Sequence, residues 1–90
     1  MEYKAKGKLI LIGPEQVKSE KFTMKEFVIQ TQEEKYPQTI NFQISNNNMT
    51  QLNGINIGEE VEVSFDVRGR EHNGKYYNTL NAYKVESSIF

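Results

Sequence analysis

The stretch that most limits how this chain can fold runs from Gly58 to Glu86. Val61, Val63, Phe65 and Val67 alternate there with Glu62, Ser64, Asp66 and Arg68. That period of two puts apolar side chains on one face of an extended strand and polar ones on the other. After Arg70, Glu71 and His72 comes Asn73-Gly74, and both residue types tolerate the positive φ that a two-residue hairpin turn demands. The chain then returns through Tyr76, Tyr77, Leu80, Ala82, Tyr83 and Val85. Two long antiparallel strands are predicted, joined at a polar, basic tip flanked by aromatics. That tip is the first candidate for a working surface.

The chain before this hairpin supplies three more strands. In Tyr3 to Ile12, Tyr3, Ala5, Gly7, Leu9 and Leu11 share one face, and Lys4, Lys6 and Lys8 share the other. Ile10 and Ile12 break the polar side, so either both faces are buried there or a bulge shifts the register. Gly7 inside a strand points to a bulge or to a bend at a barrel corner. Gly13-Pro14 ends the strand, and Glu15 to Lys21 reads as a polar loop. The second strand lies within Phe22 to Gln32, with Phe27 and Ile29 inward. A charged turn, Glu33 to Gln38, carries Tyr36-Pro37, and proline cannot continue a ladder. The third strand, Thr39 to Ile44, turns Ile40, Phe42 and Ile44 inward. Met49 to Leu52 can form one helical turn, capped by Asn48 and ended by Gly54. The predicted core is Leu9, Phe27, Ile29, Ile40, Phe42, Val61, Val63, Phe65 and Leu80.

Ninety residues make one domain. Residues 1–86 are expected to form it, with 87–90 as a short C-terminal tail. With no cysteine in the chain, disulfides, thiolate metal sites and cysteine catalysis are excluded. The opening MEYKAKGKLILIG does not read as a signal peptide, and its apolar run is too short for a membrane span. No membrane partner and a cytoplasmic setting are therefore expected. Net charge is −1, from 11 basic and 12 acidic residues. Bulk charge thus cannot grip nucleic acid, although a local basic face can.

Five strands with a short helical plug between the third and fourth is the pattern of an all-β, OB-fold-like Greek-key barrel. An open antiparallel sheet or another small barrel is the alternative. Particular segments carry a family resemblance: Tyr36-Pro37-Gln38 with Ile40 and Phe42; Gly58-Glu59-Glu60-Val61; Phe65 to Glu71; Asn73 to Tyr77; and Ala82 to Val85. In these the chain resembles a family of short bacterial OB-fold proteins known as a domain of unknown function. That family is in turn similar to single-stranded-DNA-binding proteins. Members often carry tryptophan where this chain has His72 and Tyr83, and another near Phe22. The resemblance implies the barrel, and implies binding of single-stranded nucleic acid, DNA first and RNA second.

Candidate binding residues gather at the tip: Arg68, Arg70, His72, Lys75, Tyr76 and Tyr77. Cations track phosphate and aromatic faces stack on bases, at roughly 1–3 kcal/mol per base. The bland alternative is a solvated hairpin whose arginines pair with Asp66 and Glu71. The outer residues of the second and third strands are Glu26, Val28, Gln30, Thr39, Asn41 and Gln43, with no aromatic or basic group among them. Binding across that face would need amide hydrogen bonds, the adjoining Lys25, and the loop aromatics Phe22 and Tyr36. The row Lys4, Lys6 and Lys8 reads as the wet face of a strand.

Catalysis finds little footing. One histidine sits at a turn, and no elbow serine, phosphate-cradling glycine loop or metal-ligand spacing is present. A non-catalytic binding module without metal or cofactor is therefore expected. The alternative is a protein-interaction or assembly module using the same barrel. A homo-oligomer is a further expectation. The ending Ser87-Ser88-Ile89-Phe90 suggests capture by a protein partner through Ile89 and Phe90; otherwise both residues pack back onto the barrel or an oligomer interface.

Overall fold

A computed structural model describes residues 2–87. Six strands form one sheet: β1 (Tyr3–Ile12), β2 (Gln16–Ser19), β3 (Phe22–Gln30), β4 (Thr39–Ser45), β5 (Glu60–His72) and β6 (Lys75–Ser87). A 3-10 helix, Asn46–Leu52, joins β4 to the β5 segment. Strand β1 pairs twice. Tyr3 to Lys8 lie antiparallel to Phe65 to Glu60 of β5, and Lys8 to Ile12 lie antiparallel to Gln30 to Phe27 of β3. With β5 on β6, β3 on β4, and a parallel contact of β4 on β6 at Gln43 and Asn81, five strands close into a ring. This is the OB-fold barrel.

The change of partner along β1 demands close backbone approach. Gly7 is buried, and a Cβ placed there would stand 2.5 Å from the Gln30 carbonyl oxygen. Only glycine fits such a crossing. The register then slips between Leu9 and Leu11, so Leu9 pairs with Ile29 and Leu11 with Val28. Of the two readings of Ile10 and Ile12, the bulge is the one that holds. It turns Leu11 outward, where it is 55% exposed, against the alternation predicted from Leu9. Ile12 instead pairs with Phe27 and packs on the core.

Leu9, Phe27, Ile29, Phe42, Val61 and Val63 are fully buried, as predicted. Ile40, Phe65 and Leu80 are only half-buried, packing against the core from the end where β5 and β6 leave the barrel. Ile44, Leu52, Ala82 and Val85 complete the buried cluster. Phe27 stacks on Phe42 at 5.3 Å, Phe42 meets Phe65 edge-on at 4.9 Å, and Phe65 meets Tyr3 at 5.7 Å. The aromatic row therefore runs from the core to the surface.

Two local predictions need correction. The Glu15–Lys21 segment is not wholly loop. Gln16 to Ser19 form β2 against Met24 to Phe22, an extension of β3 outside the ring. The 3-10 helix starts at Asn46 rather than Met49, which takes the cap away from Asn48. Its N-cap is Ser45, whose side chain makes no capping bond. The Asn46 side chain accepts the Thr23 N–H instead, at 3.1 Å. Strand β6 runs through Ser87, the last described residue, one beyond the predicted end. The tail expectation for Ile89 and Phe90 lies outside the described residues.

The 3-10 helix closes one end of the barrel with Leu52 and Met49. Its Gln51 does a second job. The β5–β6 register shifts between Ser64 and Phe65, and Tyr83 is left without a partner on β5. Beyond Asn81, β6 has also parted from β4. The Gln51 side-chain amide spans this gap like a short piece of strand. Its Nε2 donates to the Tyr83 carbonyl and its Oε1 accepts the Val85 N–H, both at 2.9 Å. Gln51→Ala should cost about 1–3 kcal/mol, because both backbone groups are left half-buried and unpaired. Urea denaturation reads this directly, and a loss below about 0.5 kcal/mol would mean that the bridge does not hold the helix to the barrel.

Candidate nucleic-acid interface

The β5–β6 hairpin extends past the barrel as a two-stranded ribbon. Its turn is the one predicted: Asn73 has φ 53° and Gly74 has φ 78°, the left-handed pair of a type I′ turn. Directly opposed residues share a face. Arg68 opposes Thr79, Arg70 opposes Tyr77, and His72 opposes Lys75. Every cation of the tip therefore stands on one face with Tyr77. The other face carries Val67 and Leu80, Gly69 and Asn78, and Glu71 and Tyr76. Regular alternation suggested that one of the two tyrosines would face inward. Neither does, because the ribbon has left the barrel: Tyr76 is 79% exposed and Tyr77 47%. Their difference lies in company, Tyr77 among cations and Tyr76 beside Glu71.

Within the cationic face, Arg68 Nε donates to Asp66 Oδ1 at 3.2 Å. With the arginine side chain mostly exposed, such a pair holds only weakly and can yield to a phosphate. The Glu71 pairing considered for the arginines does not form, because Glu71 occupies the opposite face.

The remaining sequence-predicted residues divide by barrel end. Because β4 and β6 are parallel, the 31–38 loop before β4 lies at the hairpin end. That loop is pinned by Thr31 N–H to Gln38 O at 2.9 Å and Gln38 N–H to Thr31 Oγ1 at 2.8 Å. It presents Tyr36, which is 74% exposed. Phe22 opens β3 at the far end, where β2 and the 3-10 helix meet it. Lys25 opposes the fully buried Ile44, so it belongs to the inner row near the far end, not to the outer face. The structure thus brings Arg68, Arg70, His72, Lys75 and Tyr77 together and leaves Phe22 and Lys25 apart from them.

The lysine row of β1 is matched by acid. Lys6 opposes Glu62 and Lys8 opposes Glu60; Lys4 Nζ lies 3.9 Å from Glu62 Oε1. On β6, Lys84 bonds Glu86 at 2.9 Å, and this hydrogen bond raises the Lys84 ammonium above its ordinary value. The Tyr83 phenol is also raised, through lost hydration first and the Glu2 carboxylate second. This side of the barrel is a neutralised wet face, as the sequence suggested.

A groove runs across the outer face beside the hairpin. One part, about 380 Å³, is lined by Glu26, Asn41, Gln43, Asn78, Thr79 and Leu80. A second, about 460 Å³, shares Glu26 and Asn41 and adds Leu11, Pro14 and Val28. Glu26, Asn41, Gln43 and Val28 belong to the outer row read from the sequence. Asn78, Thr79, Leu11 and Pro14 were missed as groove residues. The first pair arrives through the parallel contact of β4 and β6, and Leu11 through the bulge. The uncharged polar pair Asn78-Thr79, set between Tyr76-Tyr77 and Leu80 on the return strand, was the available signal. Among the described residues no cluster of histidine and carboxylate side chains forms a metal site, and no helix is long and apolar enough to cross a membrane.

An OB barrel with a projecting cationic hairpin beside an outer-face groove defines the class. The family model described as Domain of unknown function (DUF3127) matches residues 4–86, and the chain belongs to that family. No curated protein matches it. Solved structures share its fold at low identity. The mitochondrial single-stranded DNA binding protein Rim1 of S. cerevisiae is 12% identical with a TM-score of 0.81, over 98% of this chain and 95% of that one. The N-terminal domain of PriB from Thermoanaerobacter tencongensis, described as a dimer, is 16% identical with a TM-score of 0.74, over 99% and 97%. A small single-stranded DNA-binding protein from Streptomyces coelicolor is 10% identical with a TM-score of 0.60, over 99% and 94%.

The turn geometry makes the ribbon separable from the barrel. Gly74→Val places a β-branched residue at φ 78°, at a local cost of about 1–2 kcal/mol. Amide exchange should accelerate across residues 70–77 while the Phe27, Phe42 and Val63 amides keep their protection. Uniform acceleration would show that ribbon and barrel open as one unit.

Proposed function

We propose that the chain is a non-catalytic binding module for single-stranded nucleic acid, DNA in the first instance, with its phosphates tracked by the hairpin. One observation carries this reading: Arg68, Arg70, His72 and Lys75 share a ribbon face with Tyr77. Same-face residues along a strand repeat about every 7 Å, which spaces the cations along a backbone and leaves a ring among them for a base. Thr79, opposite Arg68, lines the groove together with Asn78 and Leu80 of the other ribbon face, so the groove opens at the base of the ribbon, next to the cationic face. The fold neighbours described as single-stranded DNA-binding proteins support the same reading. Tyr36 is the second aromatic at this end, and Tyr76 is peripheral. Phe22 and Lys25 serve the site least, being at the far end.

A cytoplasmic setting belongs to the proposal. So does homo-oligomerisation, supported by the dimer described for the PriB domain.

Titration with a fluorescent single-stranded oligonucleotide at several salt concentrations tests the site. Arg70→Ala with Lys75→Ala should weaken binding and make the log-affinity against log-salt slope shallower by about 1.4, since each lost phosphate contact removes about 0.7. Tyr77→Ala should weaken binding by roughly 1–3 kcal/mol with the slope unchanged, because stacking is not ionic. Equal, salt-independent losses from both variants would remove the hairpin from the site. An absence of binding at micromolar protein in low salt would return the barrel to the protein-interaction reading.

A further inference from the structure

We propose that the outer-face groove reads base edges and prefers bases carrying an exocyclic amine, cytosine over thymine, with Glu26 setting that preference. The proposal rests on the single-strand reading above and adds a specificity to it.

The chemistry of the lining identifies the occupant. Glu26, Asn41, Gln43, Asn78 and Thr79 supply one carboxylate, three amides and one hydroxyl, and no lysine or arginine lines either part of the groove. A phosphate placed there would meet the carboxylate with no cation to offset it. A neutral heterocycle suits the site better. Its edge takes the amides and hydroxyl, and its face takes the apolar part. That part is built from Leu11, Pro14 and Val28, and Leu11 reaches it only because the β1 bulge turns that side chain outward. The backbone of the same strand continues onto the hairpin through Thr79 and Arg68.

Only one of these groups discriminates. An amide side chain can turn either its N–H₂ or its oxygen to the ligand, and a hydroxyl both gives and accepts. A carboxylate accepts only. Asn41 Nδ2 donates to Glu26 Oε2 at 3.2 Å, which orients the carboxylate toward the groove and uses one of its roughly four lone-pair sites. What it can accept there is a donor. Cytosine offers its N4 amine, whereas thymine offers O4 at the corresponding edge position. The one ring N–H of thymine lies between two carbonyl oxygens, so approach to the carboxylate sets acceptor against acceptor.

The test compares oligo-dC and oligo-dT of equal length against the full chain at neutral pH and fixed moderate salt. Wild-type protein should bind oligo-dC roughly five- to tenfold more tightly. Glu26→Gln, an exposed and nearly isosteric change, should bring the ratio to about one, chiefly by strengthening oligo-dT binding. The double variant of Arg70 and Lys75 should weaken both probes alike and keep the ratio. Equal wild-type affinities, tighter oligo-dT, or a ratio that survives Glu26→Gln overturns this inference and leaves the binding module standing. Failure of both probes to bind at low salt overturns the two together.

Discussion

The barrel depends on one crossing. Strand β1 must serve β5 with its first half and β3 with its second, and at the change of partner its backbone passes so near Gln30 that no side chain fits at Gly7. Around this point five strands close into a partly open ring, with β2 and the β5–β6 ribbon left outside it. The bulge that follows is part of the same bend. It restores Ile12 to the core and sends Leu11 to the outside. A constraint on backbone packing thereby decides which apolar side chain is available to a ligand.

Charge placement explains how a chain of net charge −1 can still carry a basic site. On the β1–β5–β6 side, lysines and glutamates alternate across strands and cancel locally. On the ribbon, strand parity sorts them instead. The cations fall on one face and Glu71 on the other. Phosphates respond to this local arrangement, because charges beyond a Debye length of about 8 Å at physiological salt are screened. The groove next to it is uncharged apart from Glu26, so the two neighbouring surfaces suit the two chemically different parts of a nucleotide strand.

What could be read from the sequence was local. Val61 to Arg68 announced their faces through a period of two, and Asn73-Gly74 announced the turn, because both signals act over a few residues. The sharing of one face by Arg68, Arg70 and Tyr77 follows once that turn fixes the register. Features that depend on distant partners were less legible. Strand β2 has only four residues, Gln16 to Ser19, and is held by pairing with β3. Leu11 was misassigned because a bulge slips the register without a glycine at the slip. Phe65 and Leu80 alternate like core residues, yet they sit where the ribbon leaves the barrel and are only partly covered. Asn78 and Thr79 join the groove through the contact of Gln43 with Asn81, a pairing that no neighbouring residue encodes. Gln51 gave no sign that its amide would bridge Tyr83 and Val85.

The proposed binding mode lays a single strand along one ribbon face and on into the groove. Backbone amide chemical shifts, followed by NMR through a titration with oligo-dC, report on this path residue by residue. Perturbations should concentrate at Arg68, Arg70, Tyr77, Thr79, Gln43 and Asn41, with Lys4, Lys6 and Lys8 unmoved. Perturbations centred on that lysine row, or on Phe22 and Lys25 with the ribbon silent, would contradict it.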